Sequence, residues 1–249
     1  LSRKRLLLVF ALSTILVLSG CSAVDPASNP IDPNNGFWDR YFVFPISFLL
    51  DWFAELTGGQ YGLAILFVTI IIRLLVLPLT LKQYKSSKAM QLLQPQMQEI
   101  RKKFKDNPQK QQEETMKLFT ANGVNPLAGC FPLLVQMPIL IALYNAIMRN
   151  GHIREHTFLG MQLGEPNVWV LPILAAITTY LQYKVMPQQP NAQMQSLMLI
   201  FPVLIFVMAM QFPSALALYW VYGNIFTIIQ SYFIYGDLRK GASSTRGVQ

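Results

Sequence analysis

Between residues 61 and 235 the chain returns five times to an apolar run, at 61–81, 127–148, 168–186, 196–211 and 215–235. The first run has 21 residues, which as a helix reach about 30 Å, the thickness of a bilayer's hydrocarbon core. Between the last two runs, FPSA leaves room for only a tight helical hairpin. Charged residues make up 13% of the chain, hydrophobic residues 53%, and mean hydropathy is +0.36. Soluble domains carry about 25% charge. The pattern is that of an all-α, polytopic membrane protein, so the net charge of +8 has to be read by location before it is read as affinity for nucleic acid.

Arg3, Lys4 and Arg5 precede an apolar stretch at 6–18, and Leu18-Ser19-Gly20-Cys21 follows. This is the layout of a secretory signal over 1–20. The tetrapeptide resembles the bacterial lipobox, which implies cleavage before Cys21 and a diacylglyceryl thioether on it. Residues 22–36 are a polar linker rich in Pro and Asn. In 37–56 aromatic residues mix with Asp51 and Glu55, which suits an amphipathic helix lying in the membrane interface after Pro45. The linker and this helix make up a unit at 21–60. Nine Lys or Arg lie in 82–126, and Arg239, Lys240 and Arg246 lie in a basic tail at 236–249, whereas 22–60 holds only Arg40. Positive-inside bias predicts a cytoplasmic loop and tail with the mature amino terminus outside, and five spans satisfy both ends.

The loop at 82–122 reads as a helical hairpin broken at Asp106-Asn107-Pro108, with Gly123 as a terminator. Met90, Leu93, Met97, Ile100 and Phe104 recur at spacings of 3, 4, 3 and 4, an apolar seam in which Pro95 predicts a kink. The seam either closes the hairpin on itself or adapts to partners. Its lysines suit anionic lipid and ribosomal RNA alike.

No Asp, Glu or His lies in any of the five runs, which leaves Arg73 as an ionised side chain deep in the first with no acidic partner. On a straight helix Thr69, Arg73 and Thr80 fall within about 40° of one another. Gln136 lies in the second run, Thr178 and Gln182 in the third. In the fifth, Trp220, Asn224, Thr227 and Ser231 share a face at spacings of 4, 3 and 4. These stripes predict one hydrated cavity between helices, in which water stabilises the guanidinium. The competing reading is a snorkelling Arg73.

IIRLLVLPL in the first span, GVNPLAGCFPLLVQMPI at 123–139 and LYWVYGNIFTIIQ at 218–230 resemble the YidC/Oxa/Alb family of membrane protein insertases. The lipobox and five spans are similar to its Gram-positive bacterial branch. The resemblance implies a five-helix core over 61–235 around a hydrophilic groove open to the cytoplasm. It assigns Thr69, Arg73, Gln136, Tyr219 and Trp220 to that groove, beside Gln182 and Asn224 from the stripes. It further implies a membrane protein insertase and chaperone, not an enzyme, that needs no cofactor. The expected partners are nascent membrane proteins and the lipid bilayer, with the SecYEG channel, the ribosome and the signal recognition particle receptor as further candidates, and no DNA. The expected place is a bacterial cell membrane, with Cys21 as lipid anchor.

Three other readings stay open on the residues alone, one of them an intramembrane enzyme, for which the spans offer no carboxylate, histidine or Ser/Lys pair. An intramembrane Arg suits a small-anion transporter or channel, though no internal repeat is visible. A structural assembly factor is compatible with the same spans. His152 and His156 in GHIREH have metal-like spacing, but two His at i, i+4 without a third ligand are usually a surface helix. Cys130 reads as a small buried residue.

Overall fold

In the computed structural model the described residues are 29–124, 131–167, 169–186 and 192–244. The signal and lipidation readings at 1–21, Cys130 and the end of the tail lie outside them.

The chain enters as short helical turns at Gly36–Trp38, widens into a π-helical turn at Asp39–Val43 and continues as α1, Phe44–Leu56. Pro45 has no N–H to give the carbonyl four residues back. The π turn bridges the gap by bonding one residue further back, Phe44 N–H to the Asp39 carbonyl. One face of this run buries Val43, Ser47, Leu50 and Ala54, and the opposite face exposes Phe37, Tyr41, Phe44, Phe48 and Trp52.

The first apolar run is not one straight helix. It forms α2, Tyr61–Leu75, and α3, Leu77–Leu92, with a bend of 59° between them. Pro78 sits in the first turn of α3 and cannot donate to the Leu74 carbonyl, so the ladder breaks there. The bend places Thr80 beyond the break, where its hydroxyl donates to the Val76 carbonyl. The stripe expected from Thr69 through Arg73 to Thr80 is therefore interrupted.

The second part of the loop behaves as its Pro and Gly residues dictate. α3 ends at Leu92 with Leu93 as its cap, ahead of Pro95, and α4 is Gln94–Lys103. Residues 104–107 turn the chain, Asn107 caps α5, Pro108–Ala121, by accepting from Lys110 N–H, and Gly123 closes it at φ 64°. Val124 N–H then bonds the Phe119 carbonyl, and the two side chains share a cluster, the hydrophobic pair of a Schellman cap.

The remaining long elements are α6, Phe131–Arg149, α7, Val170–Val185, α8, Ala192–Ala209, and α9, Ser214–Ser244. α9 extends well past the expected end at 235. It packs on both α2 and α7, α8 packs on α7, and α1 packs on α2 and α6. Leu50, Ile65, Val68, Leu143, Ile147 and Tyr219 form the centre of that core.

A two-stranded hairpin, Thr157–Phe158 with Met161–Gln162, turns through Leu159 at φ 52° and Gly160 at φ 78°, the positive pair that a tight two-residue hairpin requires. The segment after it docks on the start of α9: Ser214 N–H and Oγ both donate to the Glu165 carbonyl, and Ala215 N–H donates to the Leu163 carbonyl. Gly62 lies directly under Phe158, whose ring would be 2.2 Å from a Cβ at position 62. This region is the loop end of the bundle; α3 leads away from the other, hairpin end.

Among the described residues no single helix is long and apolar enough to cross a membrane alone, whereas the bent pair α2 and α3 is so when taken together. Large apolar side chains are nonetheless exposed along α7, α8 and α9, including Ile177, Leu181, Val203, Leu204, Ile229 and Phe233. A belt of that extent is not tolerated on a solvated monomer surface.

Candidate functional site: a polar wall along the last helix

The stretch of α9 from Tyr219 to Asn224 is where polar groups from the other helices converge. Tyr219 is buried, and its hydroxyl accepts from Gln136 Nε2 on α6 at 2.8 Å. One residue on, Trp220 Nε1–H donates to Thr179 Oγ1 on α7 at 3.1 Å. A turn later Asn224 Nδ2 donates to both Thr178 Oγ1 (3.0 Å) and Thr179 Oγ1 (2.9 Å). The two threonines give their own hydrogens to backbone carbonyls of α7, Leu174 at 2.8 Å and Ala175 at 2.6 Å. Their lone pairs are thereby turned toward α9. These bonds tie α9 to α7 at three points and so fix its rotation against that helix.

Arg73 meets this wall at Gly223. Its Nη2 lies 2.4 Å from where a Cβ on residue 223 would stand, and Cζ lies 3.3 Å away. The guanidinium thus rests on bare backbone, next to Asn224. Its Nε is buried and finds no hydrogen-bond partner among the described residues. None of the carboxylates described there lies within ion-pair distance of it. Arg73 as a whole is half-buried, and a cation so placed without a counter-charge attracts a negative group. On α9, Thr227 donates to the Gly223 carbonyl at 2.8 Å, and Ser231 Oγ shares a buried 2.9 Å hydrogen bond with Tyr84 of α3.

The remaining residues singled out from sequence are placed as follows. Thr69 is fully buried and bonds its own helix at Ile65, 2.6 Å away. Gln182 is half-buried in the last turn of α7. Along α9, Tyr219 meets Gln136 of α6, Trp220 and Asn224 meet the threonines of α7, and Arg73 rests at Gly223, while Thr69 lies a turn before Arg73 inside the core. Met90, Leu93 and Met97 are buried against Phe119 and Val124, so this part of the seam closes the hairpin on itself. Ile100 and Phe104 are half-buried, and Phe104 lies under the ammonium groups of Lys103 and Lys110 at 5.6 and 5.5 Å. His152 is exposed and the short helix Gly151–Glu155 stops before His156, whose ring stacks edge-on to Tyr61 instead. No group of three metal-ligating side chains occurs among the described residues.

Sequence reasoning missed a second polar centre at the loop end. Arg149, at the end of α6, is buried and grips Asp39 with two hydrogen bonds, Nη1 to Oδ1 at 2.8 Å and Nη2 to Oδ2 at 2.5 Å. Its Nε also donates to the Asn29 carbonyl and its Nη2 to the Pro30 carbonyl, each at 2.8 Å. Beside it, Asn150 Nδ2 donates to Ser47 Oγ and to Asp51, which also accepts from the Tyr61 hydroxyl at 2.9 Å. The guanidinium holds the Asp39 carboxyl below its usual range, chiefly through the hydrogen bonds. These residues staple the entry strand, α1, α2 and α6 together. Asp39 and Asp51, two of the acids that break up the apolar pattern of 37–56, are therefore turned inward as partners, whereas Glu55 is exposed.

Three comparisons bear on the whole. Residues 52–241 match the family model described as 60Kd inner membrane protein. The chain is 51% identical over 238 residues to "Membrane protein insertase YidC 1" of Halalkalibacterium halodurans, covering 94% of this chain and 92% of that one. It is 49% identical over 249 residues to "Membrane protein insertase MisCA" of Bacillus subtilis, covering 96% and 95%. Among solved structures, an "Active YidC insertase crystal structure with the first transmembrane domain resolved" superposes with a TM-score of 0.67 at 29% identity over 80% of this chain. The chain spans about half, 47%, of that longer solved chain.

Proposed function

The chain belongs to the 60Kd inner membrane protein family of membrane protein insertases, and we propose that it receives the hydrophilic segment of its substrate along the polar wall of α9, with Arg73 as the attracting charge. As a family member it is an integral protein of the bacterial cell membrane that acts on newly made membrane proteins. The anion-transporter alternative gains no support from these relatives.

The observation that carries the proposal is the unpaired guanidinium of Arg73 beside a stretch of satisfied polar side chains. An acidic extracellular segment of a nascent protein supplies the missing counter-charge for the time it stays there. Its apolar helix then partitions sideways into lipid, and the free energy of burying apolar surface completes insertion without a nucleotide. The exposed apolar faces of α7 and α9 suit that exit.

Several features complete the reading. Five spans with the hairpin and tail in the cytoplasm follow from the basic residues of 82–126 and 236–249. Lipidation of Cys21 is what the resemblance of Leu18-Ser19-Gly20-Cys21 to a lipobox implies. The exposed aromatics of α1 suit the outer interface. The hairpin's basic surface suits a ribosome, a targeting receptor or the Sec channel.

Arg73→Ala tests the central step. In a strain with no second insertase, it is expected to impair insertion of a single-span substrate with an acidic extracellular segment, and Arg73→Lys is expected to retain more activity. Normal insertion by the Ala variant contradicts the charge-attraction step.

A further inference from the structure

Gly223 stands in the middle of a 31-residue helix, where glycine is among the least favourable residues for the helix itself. No turn or positive φ calls for it. What it provides is space: Arg73 Nη2 occupies the place of its missing side chain, 2.4 Å from the ideal Cβ position. Next to it, Asn224 is bonded to Thr178 and Thr179, so α9 cannot rotate to carry a new methyl group away. The only part free to yield is the guanidinium. We infer that Gly223 is a positioning residue that sets where the charge of Arg73 stands in the substrate path, and that any side chain there pushes the charge off the α9 wall. The inference rests on the reading of Arg73 as the substrate-attracting charge.

Lysine offers a discriminating partner. Its chain ends one atom sooner, so its nitrogen takes roughly the place of Cζ, 3.3 Å from the added methyl instead of 2.4 Å. An ammonium thus tolerates alanine at 223 where the guanidinium fork does not.

The test uses the full-length protein reconstituted in phospholipid vesicles, with Gly223→Ala, Arg73→Lys, the double variant and Arg73→Ala. The substrate is a single-span protein with an acidic extracellular segment, and a second version carries Asn and Gln in place of its acids. Gly223→Ala is expected to lower insertion of the acidic substrate several-fold more than that of its neutral version. Thermal stability is expected to be unchanged or higher, as helix propensity dictates. Phenylglyoxal labelling of Arg73, followed by mass spectrometry of its peptide, is expected to be several-fold faster. The double variant is expected to match Arg73→Lys alone. Equal loss on both substrates, or unchanged labelling with full activity, overturns the inference. If Arg73→Ala itself inserts the acidic substrate normally, the reading of Arg73 fails; if it does not and Gly223→Ala does, only the role of Gly223 fails.

Discussion

Arg149 and Arg73 both end up against other helices, yet their surroundings are opposite. Arg149 is held bidentately by Asp39 and by backbone carbonyls of the entry strand, while Arg73 has no counter-charge among the described residues. The first fastens the loop end, and the second stands without an ion pair among the described residues. Asp39→Asn leaves a buried guanidinium half-satisfied, and breaking a buried pair this way typically costs about 3–5 kcal/mol. Thermal unfolding of the purified protein is expected to shift down accordingly, whereas substitution of the exposed Glu113–Lys117 pair is expected to change little. The pH dependence has a definite sign. Because the Asp39 pKa is lowered by folding, its contribution is full above the unfolded carboxylate value of about 3.9 and is lost as pH falls through the folded value. A stability profile flat from neutral pH down to the ordinary carboxylate range, with loss only below it, is the expected result. Arg73 is visible in sequence because it interrupts an apolar run. Arg149 is not, since it sits at the end of one and its partner lies 110 residues upstream.

At the scale of elements, backbone chemistry decided what periodicity could not. A count of apolar residues across 61–81 sees one span, but Pro78 divides it and tilts α3 by 59°. Pro78→Ala is expected to restore the missing hydrogen bond and lessen the bend, read as a longer distance between spin labels at residues 63 and 88. Pro95 and Gly123 are read from the sequence as local breakers with a fixed effect, whereas Pro78, a breaker of the same kind, is passed over inside an apolar run. Gly62 was not legible, because its partner Phe158 is brought to it only by the packed loop. Gly62→Val is expected to dislodge Phe158 and lower stability by about 1–3 kcal/mol. On a Phe158→Ala background the same substitution is expected to do less harm, and a double-mutant cycle on thermal stability measures the difference. Additive losses contradict the proposed contact.

For the whole molecule, hydropathy made the all-helical, membrane-embedded class plain, and the motifs pointed to the insertase family before any packing was known. The faces of the polar stripes were legible too, since Trp220 and Asn224 share one side of α9 by spacing alone. What they bond to was not, because Thr178 and Thr179 reach them across a helix pair whose rotation is set by packing. The resulting molecule is stapled shut at its loop end by Arg149 and Asn150 and carries its unpaired charge further along, on the side that leads to the hairpin. The proposed reading is that a polar segment of the substrate enters from that side and is held there by Arg73. Site-specific photocrosslinking tests that most directly, with a probe at Gln136 or Trp220 and a ribosome-stalled, single-span substrate whose extracellular segment is acidic. The account predicts crosslinks from both positions to the acidic segment, weakened by Arg73→Ala and largely kept by Arg73→Lys. Crosslinks that are absent from both positions, or indifferent to the charge at residue 73, contradict it.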